Sequence, residues 1–393
     1  MKQEMICNLV KTVLFEQNKT KLMEISSTQW EDIYTELNEH AISGVFAEWV
    51  FKHIQLPDAL FQKWQNQYMS QVVVYYQLQY AQEELVRLMT KHQIPMAILK
   101  GTAAAVYYPQ PSARAMGDVD FLVMPDDFQR AYHLMLDNGY KLIGDEERVQ
   151  HHIELYKGKF RFELHREMGG IPNTEEGKNI QRLIEKGVSS SKIIRVDEYD
   201  IPVLPSLQNG LVLLTHIVKH LRGGLGLRQI MDWMLYVKQD LSDDAWYQEM
   251  QPVLANTVYE KQAKVITRMC QIYLGLSHDK VTWCRDVDDN LCAKLMEYIM
   301  KQGNFGNKVK DDQGAKILEG IHNPIHLFNT LQKRGEKHWK LQKKYPIFRP
   351  FAWIYTCCRY IQKTSRKKMF FGKMVDDVND GKKLKDFYKE LGL

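Results

Sequence analysis

The chain has 393 residues, of which 45% are hydrophobic and 26% charged. That composition can bury a large core, and it excludes collagen, extended disorder and a disulfide-rich scaffold. No run of about 18 apolar residues occurs, so no transmembrane helix is expected.

The first eight residues, Met-Lys-Gln-Glu-Met-Ile-Cys-Asn, do not read as a secretory leader. Cys7, Cys270, Cys284, Cys292, Cys357 and Cys358 are scattered, with no CxxC pair and no zinc spacing, and read as reduced thiols. Together these features predict a cytoplasmic protein.

Residues 1–92 read as helices, with apolar residues at helical spacing from Ala59 to Ala81 and no proline between Pro57 and Pro95. The apolar run Met96 to Leu99, closed by Lys100-Gly101, reads as a short buried strand and a tight turn. Thr102 to Tyr108 reads as a short helix stopped by Pro109 and Pro111. In Asp118 to Met124 the apolar Val119, Phe121 and Val123 alternate with Asp118, Asp120 and Leu122, which is strand periodicity and puts both aspartates on one face. A helix follows from Phe128 to Asp137, closed by Asn138-Gly139. Further strands are expected at Tyr140–Ile143, Ile153–Tyr156 and Phe160–His165, with an acidic loop (Asp145, Glu146, Glu147) between the first two. In the last strand Arg161, Glu163 and His165 share a face. Residues 171–205 read as a connector, and from Ser206 onward the chain reads as helical.

Two aspartates on one strand face repel each other and raise each other's pKa. A divalent cation offsets that repulsion, and Mg²⁺ favours a few carboxylates together with phosphate oxygens. Glu163 adds a third carboxylate from a later strand. Alone, an Asp-x-Asp pair reads equally well as a solvated strand edge.

The surrounding residues say more. Ile98-Leu99-Lys100-Gly101-Thr102, then Ser112 to Val123, then Phe162-Glu163-Leu164-His165 resemble the nucleotidyltransferase superfamily typified by DNA polymerase β. They look closest to its bacterial branch of uncharacterised members. The likeness spans about residues 20–235 and includes Trp30, Gly139-Tyr140, His216 and His220. Two departures are Thr102, where the superfamily has Gly or Ser, and a longer gap between Gly101 and Asp118.

The resemblance implies an α+β fold: a small mixed-sheet module over 93–205, flanked by N-terminal helices over 1–92 and a helical region over 206–393. It implies Asp118, Asp120 and Glu163 as a metal-binding catalytic triad for Mg²⁺ or Mn²⁺, with Glu163 as ligand or base. It implies Gly101 and Thr102 as receivers of triphosphate oxygens, with Lys100 able to hold a phosphate. The activity implied is transfer of a nucleoside monophosphate from an NTP such as ATP to a hydroxyl of a small molecule, an RNA or a protein. Its alternative is a non-catalytic nucleotide sensor or a nucleic-acid-binding module on the same fold.

Arg114, in the loop before Asp118, reads as a triphosphate contact or a surface residue. His165, beside Glu163, reads as a substrate-orienting group, as an acid or base near neutral pH, or as a strand-end histidine with a partner. His216 and His220, at i and i+4, face together and are expected to line the cleft or cap the αβ module; no third zinc ligand accompanies them. Arg228 and Asp232, also at i and i+4, are expected to pair. His151 and His152 receive no role. Between Leu331 and Met374 thirteen Lys and Arg face a single acid, Glu336, with aromatics interleaved. That stretch reads as a solvated basic helical face or as a surface for an anionic partner.

Overall fold

The computed structural model describes residues 2–17, 22, 25–143, 151–221, 223–309, 332, 349–351, 353–355 and 383–393. The chain divides into two units, Met1–Asn307 and Lys308–Leu393. In the second unit, residues 349–351, 353–355 and 383–391 are helical. The acidic loop at 145–147, Cys357 and Cys358, and nearly all of the basic stretch 331–374 lie outside the described residues.

The first unit opens with α1 (Lys2–Phe15), α2 (Ser27–Glu39), α3 (Ser43–His53) and α4 (Asp58–Lys91). Pro57 precedes the first turn of α4 and supplies a fixed φ at the helix entry. Trp64 of α4 is fully buried between Trp30 and Tyr34 of α2, and its indole N–H donates to the Ser43 carbonyl at 3.2 Å. Four turns later, Leu78, Ala81, Leu85 and Met89 of the same helix pack on the sheet.

The sheet has seven strands: β1 (Met96–Leu99), β2 (Asp118–Val123), β3 (Lys141–Leu142), β4 (His152–Lys157), β5 (Phe160–His165), β6 (Lys192–Val196) and β7 (Tyr199–Val203). Their spatial order is β3-β4-β5-β2-β1-β7-β6. β2 runs antiparallel to β1 and parallel to β5, while β7 runs parallel to β1. The short helix α5 (Gly101–Ala105) follows β1, and α6 (Phe128–Asp137) follows β2.

Strand alternation divides the chemistry. Val119, Phe121, Val123, Phe162 and Leu164 join α4 and α6 in one core. Each such buried side chain contributes about 1.5–3 kcal/mol. The opposite face of β2 and β5 carries Asp118, Asp120, Arg161, Glu163 and His165. This α+β architecture is the one expected from the sequence.

Residues 171–205 are not a connector. They form α7 (Glu175–Ser189) and the hairpin β6–β7, which extends the sheet beyond β1. Thr174 caps α7, accepting from the Gly177 N–H at 3.1 Å. A Cβ at Gly177 would meet the Pro172 carbonyl at 2.0 Å, so this tight entry requires glycine. α7 then lies against β1 and β2.

The longer helices of the remainder are α8 (Ser206–Leu221), α9 (Leu227–Asp240), α10 (Val258–Met269) and α11 (Asp289–Gln302). Cys7, Cys270, Cys284 and Cys292 are free and buried, as expected. Among the described residues no helix is long and apolar enough to cross a membrane.

Candidate active site

Register builds the site. Asp120 of β2 sits beside Glu163 of β5, Asp118 beside Arg161, and Leu99 of β1 pairs with Asp120 from the other side. β4 places Glu154 opposite Glu163 and His152 opposite His165. Strand parity therefore collects acids, an arginine and two histidines on one face.

Each aspartate already has protein cations against it. The Lys100 ammonium lies 2.6 Å from Asp120 Oδ1, and His165 Nε2 lies 2.9 Å from the same oxygen. Arg161 donates to Asp118 Oδ2. Lys100 reaches Asp120 from the end of β1 with φ at +48°, a left-handed backbone that a side-chain-bearing residue adopts at a cost. Gly101 follows at φ +27°.

Glu163 is less tightly held. His165 Nε2 lies 3.5 Å from it, Arg161 3.8 Å and His152 3.9 Å.

Electrostatics split the pair of aspartates. Burial raises the Asp118 pKa and the Asp120 charge adds to this, with the Arg161 hydrogen bond opposing both. At Asp120 burial pushes upward too, but Lys100 and His165 outweigh it and hold the carboxyl well below the usual carboxylate range. Burial pulls His165 down, yet its bonds to Asp120 and Glu163 leave its pKa raised.

The face opens into a cleft of about 520 Å³, an ordinary size for a small-molecule site. Lys100, Gly101, Arg114, Asp118, Asp120 and Glu163 line it, together with His216, Lys219 and His220 of α8 and Arg228 of α9. The His216 and His220 rings meet edge to face at 4.6 Å. Burial drives His216 well below the ordinary histidine value, and burial and Lys219 bring His220 to about 4.

The structure places the remaining predicted residues as follows. Arg114 is 2% exposed, and its guanidinium forms two 2.7 Å bonds to Asp232 of α9. Tyr108 donates to the same carboxylate at 2.8 Å. The expected Arg228–Asp232 helix pair is therefore not formed, because Arg114 occupies the Asp232 carboxylate. Arg228 instead lies over the Phe305 ring at 5.6 Å. Thr102 is buried, with its hydroxyl 2.9 Å from Gln79 Oε1 and 3.1 Å from Gln82 Oε1, both on α4. Its hydroxyl is engaged by the core, whereas Gly101 lines the cleft.

The cleft also holds Arg161, His152 and Lys219, which the sequence does not single out as site residues. The parity of β5 already put Arg161 beside Glu163. His152 and Lys219 reach the site only through strand pairing and helix packing.

Two sets of side chains bring possible metal-ligand atoms within 4.8 Å of one another: Asp120, Glu163 and His165, and His152, Glu154 and Glu163. The first set carries the buried, ionised Asp120 and fits a divalent cation, since two carboxylates and an imidazole suit Mn²⁺ as well as Mg²⁺. The Asp118 carboxylate belongs to neither set and faces Arg161.

Comparison with known proteins adds three findings. The model of a family described as uncharacterised nucleotidyltransferase matches residues 26–275. No curated protein matches the chain. Among solved structures, an antigenic nucleotidyltransferase-like protein from Paracoccidioides brasiliensis is similar at 12% identity, with a TM-score of 0.31, covering 51% of this chain and 93% of that one.

Proposed function

The chain belongs to the uncharacterised nucleotidyltransferase family, and from that premise we propose that it transfers a nucleoside monophosphate from an NTP to a hydroxyl acceptor. The observation that carries this reading is the meeting of Asp118, Asp120 and Glu163 on adjacent strands at the wall of a cation-lined cleft.

Asp120 and Glu163, with Asp118 once Arg161 releases it, would hold a divalent cation, Mg²⁺ or Mn²⁺. Such an ion, when bound, neutralises phosphate charge and makes the acceptor hydroxyl more acidic. Lys100 keeps Asp120 ionised and lies in reach of a phosphate at the same wall. Gly101 offers its backbone to the phosphates. Arg114 holds the preceding loop against Asp232 and acts by positioning.

In the transfer step the acceptor oxygen bonds to the α-phosphorus, the bond to the β-phosphate bridging oxygen breaks, and pyrophosphate leaves. Glu163 takes the hydroxyl proton, with His165 orienting its carboxylate. The 93–205 region supplies these groups, while α8 and α9 close the cleft. The acceptor is a small molecule, an RNA or a protein side chain, and the basic stretch 331–374 favours an anionic one.

One observation favours a second reading, a nucleotide sensor without turnover: Lys100 and Arg161 already neutralise both aspartates. Pyrophosphate release separates the two. Each NTP is incubated with Mg²⁺ and with pools of small-molecule, RNA or protein acceptors. Transfer predicts acceptor-dependent release for one NTP, lost in Asp120→Asn. Nucleotide binding without release in any pool supports the sensor.

A further inference from the structure

The charges of the cleft do not cancel. Asp120 is bonded to Lys100 and His165, Asp118 to Arg161, and Arg114 to Asp232. Among the described residues, two cleft cations have no hydrogen-bond or ion-pair partner: Lys219 on α8 and Arg228 on α9.

Lys219 is exposed, whereas Arg228 is half-buried. Burial and the nearby Arg114 charge pull the Arg228 pKa down, and the more distant attraction of Asp232 only partly opposes them. A half-buried charge with no ion-pair partner, beside a like charge, costs folding free energy. Chains keep such costs where a ligand removes them. A site shaped for a bare metal ion would leave the opposite sign uncompensated.

We propose that Arg228 and Lys219 form a polyphosphate seat that binds its anion without any metal ion. The guanidinium fork matches two phosphate oxygens, and the lysine adds a movable point charge at the mouth. Only the source of the polyphosphate, the tail of an NTP, rests on the nucleotidyl-transfer reading. The seat itself follows from the two unpaired cations.

Calorimetric titration of the full chain in EDTA tests this, with inorganic tripolyphosphate in one arm and each NTP in the others. Tripolyphosphate is expected to bind, and Arg228→Met with Lys219→Met to weaken it at least tenfold, about 1.4 kcal/mol. Arg182→Gln with Lys186→Gln, which removes two cations from a separate groove on α7, is expected to leave binding unchanged. An NTP that binds more tightly than tripolyphosphate identifies the nucleotide as the source. Equal affinities identify free polyphosphate. Both results retain the seat.

Absent tripolyphosphate binding, or equal losses in the two double variants, overturns the proposal. A second readout guards against misfolding. Arg228→Met removes an unpaired charge, so its Tm should not fall below that of the wild type. A fall of several degrees makes Arg228 a structural group and also overturns it. The aspartate variants test transfer chemistry separately, so either idea can fail alone.

Discussion

Lys100 is the residue on which the site turns. Its ammonium lies 2.6 Å from Asp120 Oδ1, with both side chains largely buried. Removing one partner of such a pair strands the other charge, at a cost of about 3 kcal/mol. Lys100→Met should therefore be less stable than the wild type, and Mn²⁺ should restore it by replacing the lost charge. Thermal unfolding with and without Mn²⁺ checks this: the variant should gain more than the wild type, and equal gains would contradict it.

His220 gives the residue-scale pH prediction. Its folded pKa, about 4, lies below the ordinary 6.5, so between those values the unfolded chain binds more protons. Stability is then complete above pH 6.5 and falls as pH drops toward 4, by up to about 1.4 kcal/mol per unit. Urea unfolding from pH 7 to pH 4.5 should show a flatter profile for His220→Gln than for the wild type.

At the scale of elements, the bidentate Arg114–Asp232 bond fastens the loop before β2 to α9. Arg114→Met should cost about 3–5 kcal/mol, because Asp232 stays buried. Adding Asp232→Leu should recover part of that loss, giving a coupling of about 1 kcal/mol or more in a double-mutant cycle. Strict additivity would show that the pair does not tie these elements together.

Strands β2 and β5 were legible from alternation alone, since one face of each is core and the other is charged. The hairpin β6–β7 was not. Pro202 sits inside β7, where proline argues against a strand, and Ile193 on the edge strand β6 is 64% exposed, which blurs any alternation. Asp197 takes the turn at φ +51° without the Asn-Gly signature of a tight hairpin. The Arg228–Asp232 expectation failed for a related reason: helical spacing cannot register a competitor arriving from 118 residues away in sequence.

At the scale of the whole molecule, the family match over residues 26–275 takes in the entire sheet and both helices that close the cleft. The sequence motifs located the acid face of that cleft. Its cationic wall comes from α8 and α9, more than 90 residues beyond Asp118 or Asp120, and only packing brings the two walls together. The proposed transfer uses both walls, the acid one for a metal ion and the cationic one for the phosphates of the nucleotide.

Thermal unfolding of the wild type and of Asp118→Asn/Asp120→Asn, with each NTP and with or without Mg²⁺, tests that claim most directly. At about 100 times its Kd a nucleotide should stabilise the protein by about 2.7 kcal/mol, raising Tm by several degrees. The expected result is a shift for one NTP that Mg²⁺ enlarges in the wild type and does not enlarge in the double variant. Identical Mg²⁺-dependent shifts in both proteins, or no shift with any NTP in well-folded wild type, would contradict it.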